Sequence, residues 1–134
     1  MPEGHLALVE RLFDAFNRRD FRAIAAICDE GVEFSSSADG VFGRSAPYFG
    51  PTGLRDYVAD AGRTWEELLM TPCEIERRGD LLLVHGRVYV RSRELGIRDM
   101  PVAWIWELRD GRFVRGEVFP DPREAMARFA GMPA

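Results

Sequence analysis

Two runs rich in Val, Ile, Trp and Phe meet at Asp110-Gly111 within PVAWIWELRDGRFVRGEVFPD, Pro101 to Asp121, and few structures accommodate that pattern. Asp-Gly between such runs specifies a type I′ hairpin, because both central residues of that turn need positive φ. Arg109 then faces Arg112, and a regular ladder places Trp106 opposite Arg115, Trp104 opposite Glu117 and Val102 opposite Phe119 on one face. The other face pairs Ala103 with Val118, Ile105 with Gly116 and Glu107 with Val114. One face is aromatic and charged, the other small and aliphatic.

The chain leading to the hairpin supplies the remaining layers. Leu81 to Arg93 reads as a long strand with Leu82, Val84, Gly86, Val88 and Val90 on one face and His85, Arg87, Tyr89 and Arg91 on the other. Gly86 is the expected bulge or bend point of a curved sheet. Cys73 to Arg77 forms a shorter strand stopped by Gly79-Asp80, and Val32 to Ser36 another. A connection over Glu94 to Met100 leads into the hairpin.

Helical spacing of Leu6, Val9, Leu12, Phe13 and Phe16 predicts an amphipathic first helix over His5 to Asn17. Asp20 caps a second carrying Phe21, Ile24, Ile27 and Cys28 and ending near Gly31. Thr52 caps a third in which Leu54, Tyr57, Val58, Ala61, Trp65 and Leu68 recur. Asp121-Pro122-Arg123-Glu124, with capping aspartate and proline at the first helical position, opens a short last helix. Ser37 to Pro51, rich in glycine, is a loop of the kind that lines a ligand mouth.

With 134 residues and 46% hydrophobic content, the chain is expected to fold as a single domain, 1–134. A net charge of −4 argues against a nucleic-acid partner or an anionic membrane surface, although all 18 basic residues are Arg. That Lys-free composition suggests a GC-rich bacterial genome. Cys28 and Cys73 have no metal-type spacing and read as two reduced core thiols of a cytoplasmic protein. No metal or cofactor is expected, and no apolar run approaches the roughly 20 residues a membrane span needs.

The order helix, helix, strand, helix, four strands, helix implies an α+β fold: three helices in the concave face of a curved, mostly antiparallel sheet, forming a cone. Its landmarks are AFNRRD at the end of the first helix, DEGVEF (Asp29 to Phe34), YFGPTGLRDYV (Tyr48 to Val58) and ELRDGRFVRGEVFPD (Glu107 to Asp121). In these the chain resembles the SnoaL-like group of the nuclear-transport-factor-2-like superfamily, whose cone is also described as cystatin-like. That superfamily hosts isomerases, cyclases, hydrolases and non-catalytic modules, so the resemblance implies fold more than activity.

Steroid isomerases of that superfamily use an aspartate base, a tyrosine and a protonated aspartate. Aligned on the shared landmarks, those positions fall on Ser36, Leu12 and Ala103, so that chemistry is not expected. Remaining candidate catalytic groups are Asp39, His85 and Glu107. The residues expected to line an apolar conical pocket for a small hydrophobic or aromatic metabolite are Leu12, Phe16, Ser36, Tyr48, Tyr57, Trp65, Val88, Ala103, Ile105 and Val118. Asp56 and Asp60 are expected to be solvated. His85, Arg87, Tyr89, Trp104, Trp106, Arg115 and Glu117 are expected on the convex face, where exposed indoles imply burial in a homodimer. Two alternatives stay open: a cofactor-independent isomerase, polyketide-cyclase-like enzyme or hydrolase, and a non-catalytic dimerisation module.

Overall fold

The computed structural model describes residues 2–36 and 48–132. Helices α1 (Pro2–Arg18) and α2 (Phe21–Ile27) precede strand β1 (Cys28–Ser36). The short β2 (Tyr48–Phe49) runs into α3 (Gly50–Thr64), and β3 (Glu67–Arg78), β4 (Leu81–Ser92), β5 (Gly96–Arg109) and β6 (Arg112–Phe119) follow before α4 (Pro122–Ala130). The six strands form one curved, unclosed sheet in the order β2-β1-β6-β5-β4-β3. Only β1 and β6 run parallel; the other neighbours are antiparallel. The α+β cone expected from the sequence is the fold observed.

Local chemistry explains most of the boundaries. Asp20 accepts a hydrogen bond from the Ala23 amide at 3.1 Å, and Asp121 accepts one from the Arg123 amide at 3.0 Å, so both expected caps close their helices. Those contacts with Arg123 hold the Asp121 carboxyl below its ordinary range. Several boundaries differ from the sequence reading: β3 begins at Glu67 rather than Cys73, and β5 begins at Gly96, within the expected connection, each lengthened by pairing along β4. Cys28 leaves α2 and starts β1, four residues before the expected strand. Helix α3 begins at Gly50 with Pro51 in its first turn, so Thr52 lies inside the helix and Phe49 is its cap. Trp65 ends α3 in extended conformation, and Leu68 belongs to β3, because pairing with Val90 outweighs the helical spacing of its sequence.

The hairpin keeps its turn but not its register. Asp110 and Gly111 have φ of 53° and 77°, and Arg109 faces Arg112 as expected. Beyond the first two pairs, however, β6 carries an extra residue: Leu108 opposes Phe113, and Glu107 opposes Arg115, so Val114 forms a bulge. Every later pair moves by one residue, giving Trp106 opposite Gly116, Ile105 opposite Glu117, Trp104 opposite Val118 and Ala103 opposite Phe119.

That shift corrects the assignment of faces. Trp104 and Trp106 are only 1% exposed and point into the concave side with Val84 and Leu82, their partners in β4. Trp104 meets Phe13 of α1 edge-on at 4.6 Å between ring centroids, and Trp106 stacks on Phe34 at 5.6 Å. Each buried indole removes roughly 200 Å² from water, on the order of 5 kcal/mol at about 25 cal/mol per Å². The indoles are therefore core, not the dimer surface expected. Ala103 and Ile105 take the opposite face, sealed with Leu81, Leu83 and Phe119 under Ala125 and Phe129 of α4.

Two further devices shape the sheet. Gly86 opposes Pro72 where β3 bulges at Cys73, and a Cβ on Gly86 would stand 2.2 Å from the Thr71 carbonyl oxygen. The bend expected at Gly86 thus answers a bulge in its neighbour. At the edge of the sheet, the Asn17 side chain donates to the Met70 carbonyl at 2.9 Å and accepts from the Met70 amide at 2.8 Å. This amide completes the free edge of β3 as a paired strand would and fixes the end of α1.

Candidate functional site

Beside β1, the concave interior is aromatic. Phe16 of α1, Phe34 of β1, and Tyr57 of α3 are buried, with Tyr57 5.9 Å from Phe16 and 4.7 Å from Phe34 between ring centroids. Tyr48 of β2 joins them at 5.5 Å from Tyr57. The two elements bearing the tyrosines meet closely because residue 53 is glycine: a Cβ there would lie 2.9 Å from the Tyr48 carbonyl carbon.

One carboxylate enters this cluster. The Tyr48 hydroxyl donates to Asp60 Oδ2 at 2.7 Å, and the other oxygen of Asp60 forms an ion pair with Arg63 one turn along α3. The Asp60 side chain is 13% exposed, which corrects the expectation that it is solvated; Asp56 is exposed as expected. Burial pushes the Tyr57 phenol well above its ordinary pKa, and the neighbouring Tyr48 adds to that rise. Tyr57 therefore stays protonated at physiological pH and acts as a neutral hydroxyl. Asp60 draws proton density from Tyr48, making the Tyr48 oxygen a better acceptor. A phenol that stays neutral and a carboxylate-backed phenol, set in an aromatic wall, can orient one polar group of an otherwise apolar molecule.

The other expected site residues separate into four groups. Leu12 is fully buried on α1, while Val88 and Val118 are half-buried on the concave side, the latter opposite both Trp104 and Ser36. Ser36 ends β1, its side chain lying outside the described part, as does the whole of Asp39. Trp65 is half-buried at the end of α3. Ala103 and Ile105 do not line the cone: they pair with His85 and Leu83 of β4 on the face that packs under α4.

His85 and Glu107 lie on the convex side too. His85 opposes Glu74 and Ala103, whereas Glu107 accepts from Arg115 Nη2 at 2.6 Å; Glu117 is paired with Arg128 of α4 at 3.2 Å. Neither acid meets His85. Arg87, Tyr89, Arg115 and Glu117 remain on the convex face as expected. Asp60 is the residue the sequence reading passed over; its spacing of three from Tyr57 on one helix was the available signal. Among the described residues there is no cluster of three or more His, Cys, Asp or Glu suited to a metal ion, and no helix long and apolar enough to cross a membrane.

A profile of the SnoaL-like domain matches residues 9–116. The chain belongs to the SnoaL-like domain family. Solved structures agree with this SnoaL-like fold. TerC, co-crystallised with polyporic acid, is 21% identical over 95% of both chains with a TM-score of 0.80. An NTF2-like protein of unknown function from Burkholderia pseudomallei is 21% identical over 96% of this chain and 98% of its own, with a TM-score of 0.79. IdmH of Streptomyces antibioticus, a proposed polyketide cyclase, is 16% identical over 92% and 96%, with a TM-score of 0.71. No curated protein matches by sequence. The SnoaL-like chain therefore shares the cone of these proteins at identities that speak to fold alone.

Proposed function

We propose that this SnoaL-like protein binds a small, largely hydrophobic or aromatic metabolite at the end of the cone formed by β1, β2 and α3. The observation that carries this reading is the Tyr48–Asp60 hydrogen bond of 2.7 Å bordering Phe16, Phe34 and Tyr57. The apolar rings bury the body of the ligand, and the tyrosine pair orients its polar group. Support comes also from TerC, a structural neighbour crystallised with a small molecule.

The test uses 2-naphthol as probe. It raises the melting temperature of the wild-type protein, and Tyr48→Phe and Asp60→Asn reduce that rise while keeping the fold. Equal stabilisation of all three proteins, or none of the wild type, overturns the reading.

A second reading makes the site catalytic, as a cofactor-independent isomerase, cyclase or hydrolase. It is favoured by Asp60, a carboxylate that reaches an apolar interior through a tyrosine, the arrangement general base chemistry needs. It predicts that Asp60→Asn abolishes turnover of a ligand it still binds.

The homodimer also stands as a proposal, now relocated. On the convex face away from α4, Leu69 is 40% and Ile97 64% exposed, beside Tyr89 and the Arg87–Asp99 ion pair at 2.9 Å. A second copy meeting this patch would cover it. Sedimentation at micromolar concentration should give a dimer that Tyr89→Glu dissociates; a wild-type monomer excludes it.

A further inference from the structure

The hydrogen bond between Tyr48 and Asp60 has a direction, and that direction is set from the solvent side of α3. Asp60 is ion-paired with the exposed Arg63. A carboxylate paired with a guanidinium is ionised at neutral pH and carries lone pairs only, so it accepts and cannot donate. The hydrogen in the 2.7 Å contact therefore belongs to Tyr48 and points at Asp60 Oδ2. A phenol has a single hydrogen. With that hydrogen committed to Asp60, the Tyr48 oxygen meets any other molecule as an acceptor.

The fold holds this arrangement in place. Tyr48 is paired with Phe34 across the ladder of β1 and β2, and Gly53 lets the first turn of α3 close on the Tyr48 backbone. Asp60 and Arg63 follow on the same helix. Reversing the hydrogen bond would need a protonated Asp60, and that would forfeit the ion pair with Arg63. Tyr48 is also buried beside the Tyr57 ring, so solvent does not rescue a group presented to it with the wrong polarity.

We propose that Tyr48, oriented by Asp60 and Arg63, selects ligands whose polar group donates a hydrogen bond: a hydroxyl-bearing aromatic molecule is taken, and its carbonyl counterpart is rejected. This selectivity rests on the tyrosine-lined end of the cone being the ligand site proposed above. A carbonyl oxygen set against the Tyr48 oxygen brings two acceptors together with no hydrogen between them, and both lose the water they were bonded to. A hydroxyl instead extends a chain in which the ligand donates to Tyr48 and Tyr48 to Asp60, while Arg63 balances the charge; each bond polarises the next. Tyr48 is the specificity determinant, and Asp60 and Arg63 are positioning residues that act through it.

The test compares 2-naphthalenemethanol with 2-naphthaldehyde by equilibrium dialysis. The two share a ring system, an oxygen position and a size, and only the alcohol donates. Wild-type protein should bind the alcohol at least about tenfold tighter, the scale of one hydrogen bond into a charged network. Tyr48→Phe should abolish that ratio. Asp60→Asn, whose amide can donate to the phenol as well as accept from it, should shrink the ratio by raising the affinity for the aldehyde. Near-UV circular dichroism, to which the buried Trp104 and Trp106 contribute, certifies that each variant is folded, and a loosened fold would weaken both ligands together. Equal affinity of the wild type for the two ligands overturns the selectivity and leaves the ligand site standing, as does a preference for the alcohol that survives either substitution in a folded protein. Binding of neither ligand, with no stabilisation by 2-naphthol, overturns the site and the selectivity together.

Discussion

The six-membered ring of Trp106 lies across Gly116, so close that a Cβ on that glycine would fall 2.3 Å from Cζ3 and 2.4 Å from Cε3. The indole is held on its other sides by Phe34, stacked at 5.6 Å, and Phe113, edge-on at 5.2 Å. Gly116→Ala should therefore destabilise the fold by about 1–3 kcal/mol, the usual scale of core overpacking. In a Trp106→Leu background the same substitution should cost much less, a non-additivity that urea denaturation of the four proteins would reveal. Simple additivity would show that the glycine serves some other purpose.

The Asn17 clamp makes a separate prediction. Asn17→Ala removes both hydrogen bonds to Met70 and exposes or strands the backbone groups of an edge strand. A loss of about 1–3 kcal/mol is expected. Amide exchange at Met70 should accelerate markedly in the variant, while exchange at Val90, in the interior of the sheet, follows only the global loss. Unchanged protection of Met70 would mean that the clamp does not hold the strand.

The two thiols should differ in reactivity and in their effect on alkaline stability. Burial pushes the Cys28 thiol up from 9.0 to about 12, whereas Cys73, expected in the core, is exposed at the bulge of the edge strand β3. A disulfide reagent at pH 8 should therefore modify Cys73 rapidly and reach Cys28 only on unfolding. Because the raised group is an acid kept neutral by folding, its contribution is intact below the unfolded value and is lost as pH rises toward the folded one. Stability should fall above about pH 9 by roughly 1.4 kcal/mol per unit from this group. In Cys28→Ala the onset of the decline should move to higher pH, where Tyr57 begins to titrate in the unfolded chain. Urea midpoints measured at half-unit intervals from pH 8 to 11 would detect a profile that the substitution leaves unmoved.

Tyr48→Phe provides a contrasting case, since it removes one hydroxyl without opening a cavity. The Asp60 carboxylate then keeps Arg63 but loses the phenol. A modest loss of stability, about 1–2 kcal/mol, is expected by thermal unfolding. Asp60→Ala should cost no less, because it frees both partners.

Much of this arrangement was legible where local chemistry decides. The aspartate caps at 20 and 121, the positive φ at Asp110 and Gly111, and the amphipathic faces of α1 and α3 depend on neighbouring residues, and the sequence states them directly. Non-local pairing was not legible. Leu68 has helical spacing from Trp65 and Ala61 yet lies in β3, because β4 offers it Val90. Tyr48 and Asp60 are twelve residues apart, and only the docking of β2 on β1 brings the phenol to the helix. The Val114 bulge carries no distinguishing residue at all: VRGEV reads as a regular strand, and a regular strand puts Arg115 and Glu117 opposite the indoles, which made their face read as the outer one.

That bulge has a consequence for how such a cone can diverge. Substitution alters the lining of the cone one side chain at a time, but a β6 paired without the bulge would exchange the whole set it places beside β5, bringing Arg115 and Glu117 opposite Trp106 and Trp104 and turning Gly116 and Val118 away. A slip of one residue in that pairing, with every residue left as it was, would set two charges against a floor of stacked rings. Among distant relatives, whether this strand carries its extra residue thus says as much about the interior as the identities of the residues themselves.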